Sequence, residues 1–422
     1  MYSLKLELKL NNTERSRLSG CAGFSRFVYN FGVSLLTQSW QDLEIQASDS
    51  QRLAAIEKVF TNFVKTQEQY SWMQKYPSAI YSSAFRHLNH AVRRWRLGLA
   101  KFPRFKSKRR GDSFTVLKKS GVYPVKGEKM LPFSNRQILY PGKKITIPGL
   151  GEFRLKRPIP FLCSSQTFTV SRTANKWFVS FSLDIEKMPH RFHEEEVVGV
   201  DLGVKCFATL SDGTQIHAPL QLKTAKTKLS KLQWRNRQKV LGNRPLGVKA
   251  SKTAQKYYQK LAKQHAHLGN IRKDFLQKTT TEISRKYGRI RIEDLNVSGM
   301  MANPKLSAAI SDLGFYEFRR MLIYKQSGYG TRLEIVDRWY PSSKTCSACG
   351  HVQSMPLSAR VYNCGGCGQV LERDLNAAIN LKKAPNHLVR RATAEVTPVD
   401  KNSPSGLVEA GSKQQNARFI EI

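Results

Sequence analysis

Acidic residues are scarce in this chain. Its 422 residues hold 31 Asp and Glu against 70 Lys and Arg, a formal net charge of +39 at pH 7. A compact fold carrying that excess repels itself, and a polyanion relieves the repulsion. Nucleic acid is therefore the expected partner class. Long hydrophobic runs are missing too. No stretch approaches the roughly 18 apolar residues of a spanning helix, and the opening MYSLKLELKL has charges where a secretory leader needs an apolar core. No membrane partner is expected. Cysteine is sparse: seven residues, an odd number, which argues against a disulfide framework and for a reducing compartment. The P-loop lysine motif, the H-E-x-x-H pair and the G-x-S-x-G elbow are all absent, which leaves ATPase, metalloprotease and serine-hydrolase readings without support.

What is present is enough for two or three folded domains: 40% of the residues are apolar. Residues 2–10 alternate apolar and charged, the pattern of a half-buried strand. From about Asn12 to Leu99 the spacing predicts helices. One of them starts at Pro77, with Ile80, Ala84, Phe85, Leu88, Val92 and Trp95 on one face and Tyr81, Ser82, Arg86, Asn89, Arg93 and Arg96 on the other. Next comes KFPRFKSKRR, residues 101–110, where Lys101, Arg104, Lys106, Lys108, Arg109 and Arg110 interleave with Phe102 and Phe105. Such charge beside stackable rings suits a nucleic-acid groove, and a solvated basic loop is the plainer alternative. Residues 113–187 are short β-like runs with Pro-Gly turns.

The character changes again at Glu196. VVGVDLG reads as a strand ending in Asp201, and KCFATLSDGTQI as a hairpin. Residues 221–287 are helical, with 18 Lys and Arg against Asp274 and Glu282. They read either as helices against a phosphate backbone, with Lys231, Arg235, Lys256, Arg272 and Lys273 as candidates, or as a mutually repelling solvated pair. RIRIED (289–294) is a strand, 312–326 a helix, 331–340 a strand and 374–384 a helix. Strand, hairpin, helix, strand, helix, strand, helix is the element order of a ribonuclease-H-like α/β fold. After Pro385 the composition shifts to that of a mobile tail.

Two constellations carry chemistry. Cys346, Cys349, Cys364 and Cys367 read C-x2-C-x14-C-x2-C. Paired knuckles of this kind close a tetrahedral four-thiolate zinc site without an open position, so its role is structural. Asp201, Glu293 and Asp374 each stand at an element end, where a parallel-type sheet gathers functional groups. Three hard oxygen ligands suit one or two Mg2+ ions acting on a phosphodiester. Taken singly, Asp201 is equally a strand-end turn residue and Asp374 a helix N-cap. Asp294 is set aside, because it points to the face opposite Glu293.

GVDLGVKCFATLSDG, HLGNIRKDFLQKTTTEISRKYGRIRIEDLNVSGM, KTCSACG with YNCGGCG, and ERDLNAAINL together resemble the TnpB proteins of insertion-sequence transposons. That resemblance implies an RNA-guided nuclease similar to the ancestors of type V CRISPR effectors. The architecture it implies is a multidomain α+β chain. A wedge-type β-barrel (1–10 and 113–195) is interrupted by a helical recognition domain (11–112). A RuvC-like nuclease domain (196–345 and 369–384) follows, with an inserted zinc ribbon (346–368), and a disordered tail (385–422) closes the chain. The implied triad is Asp201, Glu293 and Asp374, and the implied zinc ligands are the four clustered cysteines. The implied partners are a guide RNA from the transposon end and double-stranded target DNA, met by a monomeric protein in a prokaryotic, nucleoid-associated setting. Tyr81, Ser82 and Arg86 are the candidates for reading a short motif beside the target. A guided repressor that does not cut and a conventional transposase are the competing readings.

Overall fold

The computed structural model describes residues 2–41, 48–108, 111–118, 136–183, 196–242, 247–304, 307–356, 359–392 and 418–420. Two compact units divide the chain: 1–186 together with 396–422, and 187–395.

In the first unit, strand β1 (Tyr2–Lys9) buries Leu4, Leu6 and Leu8 on one face, as its alternation dictates. Three helices follow: α1 (Asn12–Gln41), α2 (Asp49–Asn62) and α3 (Ser78–Arg96). Ser48 and Gln51 form a capping box at the start of α2, and Pro77 stands at the N-cap of α3. Helix α3 buries Ile80, Ala84, Phe85, Leu88 and Val92. Gly32 lets it lie close on α1, since a Cβ there would come within 2.5 Å of Leu88. Strands β2 (Asp112–Leu117), β3 (Gln137–Leu139), β4 (Gly142–Ile147), β5 (Gly151–Ile159), β6 (Cys163–Ser165), β7 (Thr167–Thr173) and β8 (Lys176–Leu183) complete the unit. The main sheet runs β2-β7-β8-β1-β5-β4, and β3 pairs with β6 apart from it. All these main-sheet pairings are antiparallel. Helices and sheet share one core, in which Phe24, Phe60, Phe85, Phe114, Phe168 and Phe181 are buried.

The second unit is built on a six-stranded sheet. Its first elements are β9 (Val197–Leu202), β10 (Ala208–Leu210) and β11 (Gln215–Ile216). Helices α4 (Leu220–Arg235) and α5 (Lys252–Lys286) come next, then β12 (Arg289–Glu293). Helices α6 (Val297–Ala302), α7 (Ser307–Leu313) and α8 (Phe315–Tyr329) lead to β13 (Arg332–Val336). A hairpin of β14 (Val361–Asn363) and β15 (Val370–Glu372) runs without a break into α9 (Arg373–Lys383), and β16 (Val389–Arg391) follows. The sheet order is β11-β10-β9-β12-β13-β16. Strands β9, β12 and β13 are parallel neighbours, and β16 is antiparallel to β13. Val198, Val200, Ile290, Ile292, Leu333 and Ile335 pack with Leu276 and Ile283 of α5 and with Phe318, Met321 and Leu322 of α8. The opposite face takes α9, where Gly199 meets its backbone.

Three sequence readings need correction. The expected helix over 312–326 is two helices, α7 and α8, parted at Gly314, whose φ of 70° is left-handed. The strand expected over 331–340 ends at Val336, where the chain turns. Residues 386–391, placed in the expected tail, form a 3-10 turn and strand β16, because β13 offers a free edge. Past Ala392 the described residues are Arg418–Ile420, strand β17, which pairs in parallel with β1.

Candidate functional site

The parallel register brings the first two carboxylates together. Ile292 pairs with Val200 across β12 and β9, so one step on Glu293 stands beside Asp201 at the carboxyl edge of the sheet. Asp374 comes from the first turn of α9. All three side chains are half-buried. Burial pushes the Asp201 carboxyl up to about 7, and the charges of Asp374 and Glu293 push the same way. Burial also raises Glu293, helped by the charge of Asp294. The nearby cation is Arg373, 3.5 Å from Asp374. Three carboxylates with so little compensation form a site that favours a cation.

Helix α9 is fixed in three ways. A Cβ on Gly199 would lie 2.0 Å from the Ala378 carbonyl oxygen and 2.5 Å from the Lys382 nitrogen, so only glycine lets α9 lie directly on β9. Arg291, buried on β12, donates to the carbonyls of Lys382 and Ala384 at 2.8 Å each, capping the helix C-terminus. Its Nε is held by buried Glu334 of β13 at 2.8 Å. Arg291 shares its face with Glu293, two residues along the strand. The third contact joins the ribbon. Asn376 donates to Thr345 O (2.7 Å) and accepts from Ser347 N (2.9 Å). Asn380 donates to Ser342 O and Thr345 O, and Lys383 to Ser347 O. These clamp residues escaped the sequence reading. The alternation in RIRIED puts Arg291 on the face of Glu293 but does not name its partners, which lie 91 and 93 residues away.

The four cysteines gather so that their sulfurs all lie within 4.8 Å of one another. Cys346 and Cys367 are 3.7 Å apart, and Cys349 and Cys364 3.6 Å. Tetrahedral zinc with Zn–S bonds near 2.3 Å demands about 3.8 Å between sulfurs. The N–H groups of Cys349 and Ala348 turned toward Cys346 draw its thiol down to about 6. Gly350 and Gly368 take left-handed φ values of 78° and 73° to close the knuckles. The residues fit a structural zinc ion. Among the described residues this is the one cluster so tight; the three carboxylates stand further apart.

The nucleic-acid candidates are scattered over both units. On α3, Arg86 is exposed and Ser82 half-buried, while Tyr81 is half-buried against Phe60 with Lys65 over its ring. Lys101, Arg104, Phe105, Lys106 and Lys108 are exposed. Their loop is anchored by Phe102 edge-on to Trp95 and by Asn30, which bonds both backbone polar groups of Lys106. Arg109 and Arg110 lie outside the described residues. Lys231, Arg235 and Lys256 are exposed, Lys273 is half-buried, and Arg272 is bonded to Asp312 of α7 at 3.3 Å.

Comparison with known proteins gives two family matches: the family described as "Probable transposase" over residues 180–304, and "Cas12f1-like, TNB domain" over 315–381. A "putative RNA-guided DNA endonuclease" of Streptomyces pristinaespiralis is 33% identical over 373 residues, 88% of this chain and 85% of the relative. InsQ of Escherichia coli K12, also named a putative RNA-guided DNA endonuclease, is 28% identical, with 91% of this chain and 92% of the relative aligned. A TnpB-like protein of Acanthamoeba polyphaga mimivirus is 31% identical over 45% of this chain and 37% of its own length. Among solved structures, the Cas12f1 chain of a complex with sgRNA and target DNA shares the fold with a TM-score of 0.51 at 14% identity, covering 87% of this chain and 81% of that one.

Proposed function

The chain belongs to the TnpB family, and from that premise we propose that it is an RNA-guided DNA endonuclease with a RuvC-like centre made of Asp201, Glu293 and Asp374. The observation that carries this reading is the meeting of three weakly compensated carboxylates from three distant segments at one sheet edge. In the proposed organisation, residues 1–10 and 113–195 are a wedge-type barrel, interrupted by a helical recognition domain (11–112). Residues 196–345 and 369–384 are the nuclease domain, and 346–368 the zinc ribbon.

Magnesium bound by the three carboxylates supplies the Lewis-acid charge that hydrolysis of a phosphodiester needs. The chain does the rest. Asp201 and Glu293 hold their oxygens on the rigid ends of paired strands. Asp374 adds its own from a helix clamped by Arg291, Asn376 and Asn380. Carboxylate oxygens select a hard ion and thiolates zinc, so the two sites do not compete for metal. Guide RNA paired with the target supplies sequence recognition, while the basic surfaces of α4, α5 and loop 101–108 contact phosphates.

The test is direct. Protein purified with co-expressed RNA is given DNA matched or mismatched to that RNA, with Mg2+. Cutting of the matched DNA alone is expected, and Asp374→Ala should abolish it while RNA still co-purifies. Cutting that ignores the guide would sink the guided reading; cutting that survives Asp374→Ala would sink the site. A protein that only binds would retain matched DNA intact.

A further inference from the structure

The rim of the six-stranded sheet carries a second charged group that the carboxylate centre does not use. Asp294 follows Glu293 and, one residue on, faces the other side of the sheet. Three arginines from three segments converge on it. Arg319 of α8 reaches Oδ1 at 2.8 Å, and Arg338 (just past β13) and Arg390 of β16 reach Oδ2 at 3.0 and 3.1 Å. One carboxylate cannot balance three guanidiniums. The local excess is 3 − 1 = +2, or +1 if Asp337 is counted.

Each of these arginines spends one N–H on Asp294 among the described residues, and a guanidinium has five. Their side chains are 30%, 43% and 56% exposed, so each is partly open to solvent. Asp294 is itself 16% exposed, so the arginines also staple α8, the end of β13 and β16 together, but one carboxylate does not exhaust their donors.

Beside Arg338 stands Trp339, 84% exposed, more than any other large apolar side chain among the described residues. It is not on a loose tip. Asp337 accepts its backbone N–H at 2.8 Å, and the next residue, Tyr340, packs against Val336 and Leu381. A large ring held in water beside partly exposed guanidiniums is the pairing that grips single-stranded nucleic acid, the ring stacking on a base and the charges binding phosphates. The position suits the site. Glu293 pairs with Val336, so residues 337–339 leave the sheet at the edge that carries the carboxylates.

We propose that Trp339 with Arg319, Arg338 and Arg390 forms a strand-binding rim that grips single-stranded DNA beside Asp201, Glu293 and Asp374. The proposal rests on the nuclease reading for its purpose, though its test does not. The full-length protein with its guide RNA is titrated with a short oligothymidylate, and intrinsic tryptophan fluorescence is followed. Quenching is expected in the wild type and should be largely lost in Trp339→Phe, which keeps a stackable ring and removes the reporter.

By anisotropy of a labelled oligothymidylate, Trp339→Ala should weaken binding by about tenfold, with Trp339→Phe restoring most of it. Arg338→Gln with Arg390→Gln should weaken it at least as much and lower the salt slope by about 1.4, about 0.7 for each lost phosphate contact on a single strand. Asp294→Asn removes the counter-charge and should tighten binding severalfold, a gain that misfolding would not produce. Retention of guide-matched duplex should stay within about twofold in every variant. Unchanged oligothymidylate affinity in the Trp339 and arginine variants would overturn the proposal. So would an equal fall in duplex retention. A wild-type protein that never cuts would sink the nuclease reading and leave the rim to be judged by these affinities.

Discussion

Glu334 is 2% exposed and sits between Arg291 and Arg289, with Nε and Nη2 contacts of 2.8 and 2.9 Å. Burial alone would raise its pKa, but the two guanidiniums hold it below the ordinary 4.5. Its sign follows. A carboxylate depressed in the folded state contributes stability that is fully present above its ordinary value and is lost as pH falls through the lowered one. Glu334→Gln would strand Arg291 in the interior. Removing one partner of a buried pair costs about 3–5 kcal/mol, so a loss of that order is expected at pH 7. The gap to wild type should narrow as pH falls below the ordinary 4.5 and on through the lowered value. Urea unfolding at several pH values measures both. The pair also bears on the site, since Arg291 caps the helix that carries Asp374.

The element on which most converges is α9. Gly199→Ala would drive a Cβ into its backbone at 2.0 Å, and backbone cannot rotate aside. Displacing a reacting group by about 1 Å can cost on the order of 10²-fold. Gly199→Ala should therefore lose about that much cleavage while its circular dichroism stays close to wild type. The ribbon acts on the same helix through Asn376, Asn380 and Lys383. Stripping zinc with a chelator that leaves Mg2+ in excess should release the base of the ribbon. It should lower cleavage without lowering guide-RNA retention; full activity in protein shown to lack zinc would refute the coupling. The elements themselves were legible. Period-2 alternation marked β1, period-3.6 spacing marked α3, and VVGV and RIRI marked strands. The positions of Asp201, Glu293 and Asp374 at element ends were legible, because each closes or opens an element. The clamps were not. The partner carbonyls of Arg291 lie 91 and 93 residues away, and no local pattern tells a strand arginine that a helix end will arrive there. Tyr81 was assigned to a polar face for the same reason: nothing near it in sequence announces Phe60.

On the scale of the whole molecule, charge sets the behaviour. With a net +39, the free protein should gain stability as salt screens its self-repulsion, whereas its complex with RNA should weaken. Contacts to 6–10 phosphates cost about 10³–10⁵ in affinity between 50 and 200 mM salt. Melting temperature of the free chain and RNA affinity should thus move in opposite directions over that range. If both rise, the basic surface is not the RNA-binding surface. The order of the carboxylates along the chain carries a consequence for synthesis. Asp201, Glu293 and Asp374 lie on three segments, and β16, which closes the sheet edge beside them, comes later still. On the ribosome, the basic loop at 101–108 and both long basic helices emerge before Asp374 does. If the proposed centre and basic surfaces hold, a nascent chain can engage RNA before its carboxylate centre is complete.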